Sequence, residues 1–576
     1  MILQALYQYY QRKAADPDST IAPIGFTRKE IAFIIVIDRD GNLVDLQDTR
    51  IKYRKKLIGK QFLLPQAVGR SGKNAWKTAF LLWDHYGYVL GQSKTDDAEA
   101  VVMAGKQLNS FQEKLRNLPA EIKADDGIQA VIAFYQTGNY KKVETLPTWA
   151  DCKAINGCNL TFRLDGDGQA IAERKAIVNY QKSIALQAEE GEVYQACCLI
   201  TGEKQVIQRL HGPTAILGGQ STGKLFGFQK NSGYDSYGKE QGFNAPVGKY
   251  GHAAYITALS TLLTSDNSMR LADATVVFWS DKPSQLEQDF NLFFCEPTKE
   301  DNPDRGIKAV RALYQSVQIG TLEAENNNSF YVLGLAPNVA RISVRFWSTG
   351  NVLQYANKIK THFDDLEIVK SDRDQEFFSL HKLLSHTALE YKISNVPQSL
   401  AGAVVHAVLA GTPYPATLLQ QCMRRIRAER KVNRIRAAIL KAFINRKHRQ
   451  SHKSTQEEIS VSLDKNNMNP AYRLGRLFAV LENIQERAQG KGTIRERFYG
   501  AASCAPVTVF PLLLKLKNHH LAKLAGGSVV YYENILADIF AGIANIPSHL
   551  PLEAQARFAV GYYHQRQDLF TKKEKV

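Results

Sequence analysis

Residues 421 to 453 read QCMRRIRAERKVNRIRAAILKAFINRKHRQSHK, with twelve Lys or Arg against one acid, Glu429. Val432, Ile435, Ile439 and Phe443 recur within it at spacings of three, four and four. That spacing marks one face of a helix. The apolar stripe must be covered, and like charges this dense repel unless something neutralises them. Arg427, Arg430, Lys431, Arg434 and Lys441 fall mostly on other faces. The segment therefore needs water, a polyanion or an anionic membrane surface around it. It has no Trp, and Phe443 is its only large aromatic, which weighs against the membrane. Contact with a nucleic-acid backbone is expected of Arg424, Arg427, Arg430, Lys431, Arg434, Lys441 and Arg446.

The whole chain of 576 residues carries a net charge of +17, so most of the excess sits in this one segment. Such an excess points to a polyanionic partner. Hydrophobic residues at 44% and charged residues at 22% are globular proportions, and the length suits several domains. The longest apolar run, Ile31 to Ile37, is far short of a membrane span. The opening residues lack the marks of a signal peptide. Seven cysteines at 152, 158, 197, 198, 295, 422 and 504 form no C-x-x-C pair and no disulfide framework. A reduced, cytoplasmic protein is expected. A metal held by Cys152, Cys158, Cys197 and Cys198 is disfavoured, because those spacings fit no common zinc module.

Along the chain, ILQALYQYYQRKA reads as a short helix, and EIAFIIVIDRDGNLVDLQDTR as strand, Asp40-Gly41 turn and strand. Residues 95 to 150 read as largely helical, and 150 to about 350 as β-rich. The clearest strands are TVVFW (275–279), SFYVLGL (329–335) and RISVRFW (341–347). The last alternates Ile342, Val344 and Phe346 with Arg341, Ser343, Arg345 and Trp347. Its second face suits either water or stacking on nucleotides. From 351 onward the pattern is helical. The polar stretch 451–467 reads as a linker. Asn469-Pro470 then supplies a cap and a first-turn proline, followed by a stripe of Leu474, Leu477, Phe478, Leu481 and Ile484. The expected fold class is α+β: a mixed β-rich and helical region (1–395), a basic helical segment with linker (396–467), and an all-α bundle (468–576).

Residues 218–225, GGQSTGKL, half-match two catalytic signatures. A phosphate loop needs a helix after it and a hydroxyl where Leu225 stands. A nucleophile elbow needs a helix directly after Ser221. The following LFGFQKNSGYDSYG reads as strand and loop. LDGDGQA (164–170) opens like a calcium loop, but Ala176 occupies the position that needs Glu, so a hairpin turn is expected. No constellation supports catalysis or a bound metal. A stand-alone P-loop or serine hydrolase built on GGQSTGKL is the alternative to the reading that follows.

Several stretches taken together resemble one family. They are MILQALYQYYQR, IAFIIVIDRDGNLVDLQDTR, LWDHYGYVLG, ITGEKQVIQRLHGP, GGQSTGKLFGFQ, SYGKEQGFNAPV, SFYVLGLAPNVARISVRFW and AVGYYHQRQDLF. They run almost end to end, in order, and resemble the large subunit of the type I-C CRISPR Cascade surveillance complex. The resemblance implies a non-enzymatic subunit without cofactor, at the 5′ end of a crRNA. It implies reading of the short PAM in double-stranded target DNA, help in opening the duplex and seeding the R-loop, and docking of a helicase-nuclease. Base pairing with the guide supplies sequence specificity in such systems. The implied partners include the Cascade backbone and crRNA-processing subunits. The C-terminal bundle resembles a small subunit, which the family also makes from an internal start. Met468 precedes the capped helix and is the only Met after Met423.

Glycine loops let backbone approach a groove closely, and amide, hydroxyl and cationic side chains reach base edges and phosphates. The candidate PAM and DNA contacts are accordingly Arg70, Ser71, Lys73 and Asn74; Gln220, Ser221, Thr222 and Lys224; and Tyr237, Lys239, Gln241 and Asn244. Lys52, Arg54 and Lys55 join the backbone set. One long side chain from these loops is expected to wedge into the opening duplex, where unstacking costs about a few kcal/mol.

Overall fold

The computed structural model describes residues 2–570, apart from 54–55, 68–69, 71–72, 96, 187–193, 221, 231–237, 272, 296–303, 323–325, 340, 372–373, 452–457 and 491. The chain divides into two compact units. One comprises residues 1–261 with Asn338–Ile342, the other 262–337 and 343–576. The divide at 261/262 falls inside the region 1–395 that the sequence pattern reads as one. Strands dominate early and helices late, as the α+β expectation requires.

In the first unit the run FIIVI forms the strand Phe33–Ile37, buried on both faces. It can be apolar throughout because it is interior to a four-stranded sheet. The order there is Leu43–Asp48, Phe33–Ile37, Asn159–Leu164, Trp83–His85. The central pair is parallel and both outer pairs antiparallel. The Asp40-Gly41 turn lies where expected. Asp38 accepts from the backbone of Asp40 and Asn42, and Gly41 takes a φ of +78°. Helices Ala98–Arg116 and Asp126–Gln136 bury Phe111, Leu115, Ile128, Val131 and Phe134 in the same core as the sheet. LDGDGQA turns into a short 3-10 helix, Ile171–Glu173, rather than into a hairpin.

The stretch 150–350 holds more helix than its sequence suggests. Lys175–Leu186, Lys249–Thr264, Gln285–Phe294 and Arg305–Ile319 are all helical. KYGHAAYITALSTLLT is rich in β-branched and aromatic residues, which are poor helix formers. Burial of Ala254, Tyr255, Ala258, Leu259 and Leu262 overrides that preference. The strands at Ala274–Ser280, Ser329–Asn338 and Arg341–Asn351 lie where the alternation places them. With Ser268–Leu271 they form a second four-stranded sheet, which belongs to the second unit except for the tip residues Asn338–Ile342.

The second unit has one continuous hydrophobic core, from Met269 in that sheet to Tyr563 near the C-terminus. Residues 468–570 share it. Their helices are Pro470–Gln489, Ile494–Cys504, Phe510–Leu521, Gly526–Phe540 and Leu552–Phe570. Asn469 caps the first by accepting from the backbone N–H of Ala471 and Tyr472. The stripe Leu474, Leu477, Phe478, Leu481, Ile484 is fully buried. Helices Pro470–Gln489 and Leu552–Phe570 touch at two glycines. A Cβ on Gly475 would lie 2.0 Å from the Phe558 carbonyl oxygen, and one on Gly561 2.1 Å from that of Tyr472. Part of the expected linker is packed as well, since Ile459 is buried and trades hydrogen bonds with Asn445. No described helix is long and apolar enough to cross a membrane.

Candidate nucleic-acid interface

The basic segment folds into helices Ala416–Glu429 and Arg434–Gln450. Its neutralisers are largely the protein itself, which corrects the surface expected of it. Arg436, Lys441 and Arg446 are buried. Arg436 pairs with Glu429 at 2.7 Å and donates to the His386 carbonyl. Lys441 donates to the Asp365 carbonyl at 3.0 Å. Arg446 donates to the carbonyls of Ala407 and Thr412, at the end of helix Leu400–Ala410, and meets the Asp365 carboxylate at 3.4 Å. Arg449 bridges Asp365 and Glu458. Burial raises the Asp365 carboxyl even with these cations beside it. Such pairs exist because an unpaired buried charge is far costlier than a paired one. Lys441 and Arg446 therefore leave the set of backbone contacts. Arg434 is half-buried, lies over the Phe378 ring at 4.4 Å and donates to the Gln375 carbonyl. Arg424, Arg427, Arg430 and Lys431 are exposed, with Arg427 bonded to Gln555.

Arg70 is a second correction. Its guanidinium forks onto the fully buried Asp84, donates to the Thr78 carbonyl, and lies 3.6 Å from the Phe80 and 4.0 Å from the Tyr88 ring centroids. Asp84 also accepts from the backbone of Phe80 and His85. Three of its five N–H donors are committed inside the fold, to Thr78 and to Asp84 on strand Trp83–His85, so Arg70 braces the loop. Lys73 and Asn74 stand exposed beside it, with Trp76 near Lys77 and Lys106. Ser71 lies outside the described residues, as do Arg54, Lys55, Ser221 and Tyr237. Lys52 is exposed on the ribbon strand Ile51–Tyr53.

The second and third loops come together in the first unit. Gly218 takes a φ of +81°, and Gly223 closes a turn by donating to the Gln220 carbonyl at 3.0 Å. Lys224 then bridges to Arg341 on the tip Asn338–Ile342, with the Ile342 N–H donating to the Lys224 carbonyl. Among the described residues no α-helix follows before Lys249, and residues 222–230 directly after the loop are not helical, as a phosphate loop or a nucleophile elbow would require. On the other side, Gly242 sits so close to residues 208–209 that a Cβ would meet the Arg209 carbonyl oxygen at 2.5 Å. Gln241 adopts a φ of +46° and accepts from Arg209 at 2.7 Å. Asn244 donates to the carbonyls of Lys239 and Gln241, which makes it a brace for its own loop. Lys239 and Gln220 are exposed.

These segments line a cavity of about 440 Å³ that opens to solvent. Thr222, Lys224, Arg341, Arg209 and Gln241 give it polar and cationic walls, and His211, Phe226 and Phe228 an aromatic one. The His211 and Phe226 ring centroids are 4.5 Å apart, and Phe228 meets Phe226 edge-on at 5.3 Å. Burial, with His252 and Lys224 nearby, lowers His211 to about 3; burial and Lys224 lower His252 to about 4. Both imidazoles are neutral at neutral pH. The site is thus cationic through Lys and Arg, with two like charges on bridged neighbours, and suits an anion joined to a flat apolar group. Among candidate residues from the sequence it gathers Thr222, Lys224 and Gln241. Arg209, His211, Phe226 and Phe228 were missed as site residues. Arg341 was visible only as part of an alternating strand face. No group of His, Cys, Asp and Glu that could hold a metal occurs among the described residues.

A family model described as CRISPR-associated protein (Cas_Csd1) matches residues 6–570. No curated protein matches the chain. The match spans both units, all of the cavity's walls and the C-terminal helices. The chain belongs to the CRISPR-associated Cas_Csd1 family, which supports a subunit of a Cascade-type effector.

Proposed function

We propose that the protein is the non-catalytic large subunit of a type I-C Cascade, which reads the PAM in duplex DNA, helps open it and docks the helicase-nuclease. The observation that carries this is the meeting of three separate segments and a hairpin tip around a cationic, aromatic-walled cavity, in a chain of a CRISPR-associated family. Amide and hydroxyl groups at Thr222 and Gln241 suit base edges, while Lys224 and Arg341 suit phosphates. The exposed Lys73, Asn74 and Lys77 beside Trp76 offer a second contact of the same kind.

The test is binding of the assembled, guide-loaded complex to matched duplexes that differ only in a randomised flank. A preferred flank should emerge. Thr222→Ala or Gln241→Ala should erase the preference, whereas Lys224→Ala should weaken binding to all flanks and lower the salt slope by about 1. No flank preference in the unaltered complex would overturn the reading. The bundle is further proposed to be made separately from Met468. Silencing that start should remove a companion band of residues 468–576, and persistence of the band would place the start elsewhere.

A further inference from the structure

We propose that the cavity walled by His211, Phe226 and Phe228 seats one unstacked nucleobase, whose phosphate is held by Lys224 and Arg341. This rests on the DNA-recognition reading above and deepens it. The cavity's roughly 440 Å³ lies within the ~300–1,000 Å³ of small-ligand pockets. Its aromatic wall is wasted on a bare phosphate but suits a planar ring, since every base has a face to stack.

Two further observations point to a ligand. His211 is only 3% exposed, its Nδ1 is engaged with the Tyr255 hydroxyl at 2.6 Å, and its buried Nε2 has no hydrogen-bond partner among the described residues. A buried polar atom left unmet is unfavourable, and a base edge would meet it. Lys224 and Arg341 are backbone-bridged neighbours of like charge, an arrangement that an anion between them relieves. The base comes either from a DNA strand at the opening junction or from the 5′ portion of the guide RNA. Both present the same chemistry.

The experiment places an abasic nucleotide at one position at a time in the target strand, the displaced strand or the guide. Binding is measured in the assembled complex with unaltered protein and with Phe226→Leu, which keeps bulk but removes the aromatic face. At one position the abasic site should weaken binding about tenfold in the unaltered complex and have no added effect in the variant. 5-Iodouracil at that position should cross-link to the peptide carrying Phe226. The strand that responds identifies the source. If abasic sites cost the same in both proteins at every position of all three strands, the pocket is overturned. A flank preference persisting in that case leaves the recognition reading intact. Coupling at a guide position without any flank preference supports the pocket and overturns the recognition reading instead.

Discussion

Single side chains in this protein show how burial reassigns a charge. Arg70 sits on a glycine loop among Lys73, Asn74 and Lys77, where residue types make it a candidate DNA contact. Its fork instead closes on Asp84, which is fully buried. Arg70→Ala should cost about 3 kcal/mol in urea unfolding, because it removes the counter-charge of a buried carboxylate and leaves it only the backbone N–H groups of Phe80 and His85. Lys73→Ala should leave stability within about 0.5 kcal/mol. Histidines give a second residue-scale outcome. His362 and His564 are buried, each with Nδ1 on a tyrosine hydroxyl, and burial lowers both to about 3. The ordinary histidine value is about 6.5, so below it the unfolded chain takes up protons that the folded chain refuses. Stability should fall as pH drops from about 6.5 towards 3, by about 1.4 kcal/mol per pH unit for each histidine. His564→Gln should remove one such share of the slope between pH 7 and 5. An unchanged slope would mean that His564 titrates normally in the folded protein.

At the scale of elements, two contacts are set by what is absent. Gly475 and Gly561 let helices Pro470–Gln489 and Leu552–Phe570 approach until backbone meets backbone. Alanine at either would place its Cβ about 2 Å from a carbonyl oxygen, so the helices must part. Overpacking of this kind costs about 1–3 kcal/mol or more, despite alanine's better helix propensity. A rise in thermal stability of Gly561→Ala would show that the helices have slack. Helix Ala416–Glu429 gives the opposite case, ending in Arg430 at φ +51°. Glycine adopts that conformation freely, whereas arginine is strained in it. Arg430→Gly should therefore stabilise by about 0.5–1 kcal/mol, less the extra freedom it gives the unfolded chain.

For the molecule as a whole, the question is where a net charge of +17 is spent. The densest basic segment spends much of it inward, on Asp365, Glu429 and helix-end carbonyls. Arg446→Met should thus change stability but not the salt dependence of DNA binding, whereas losing both Lys224 and Arg341 should lower the salt slope by about 2. Equal salt slopes for the two variants would put the DNA on the wrong surface. Local pattern alone determined a good deal here: the Asp40-Gly41 turn, the strands at 275–279, 329–335 and 341–347, the Asn469-Pro470 cap and the helical C-terminal half. Each follows from neighbours within a few residues, through side-chain period, turn chemistry and capping. The lack of a helix directly after GGQSTGKL was legible in the same way, from the glycines and aromatics of the following residues. Tertiary structure alone decided which cations face water, that Lys249–Thr264 is a helix despite its residues, and that Arg209, Phe226 and Arg341 meet. Those outcomes depend on partners far apart in the chain, such as Asp365 for Arg446 or the 338–342 tip for Lys224. A sequence states that an arginine is charged, but only the packed chain supplies the carboxylate that claims it.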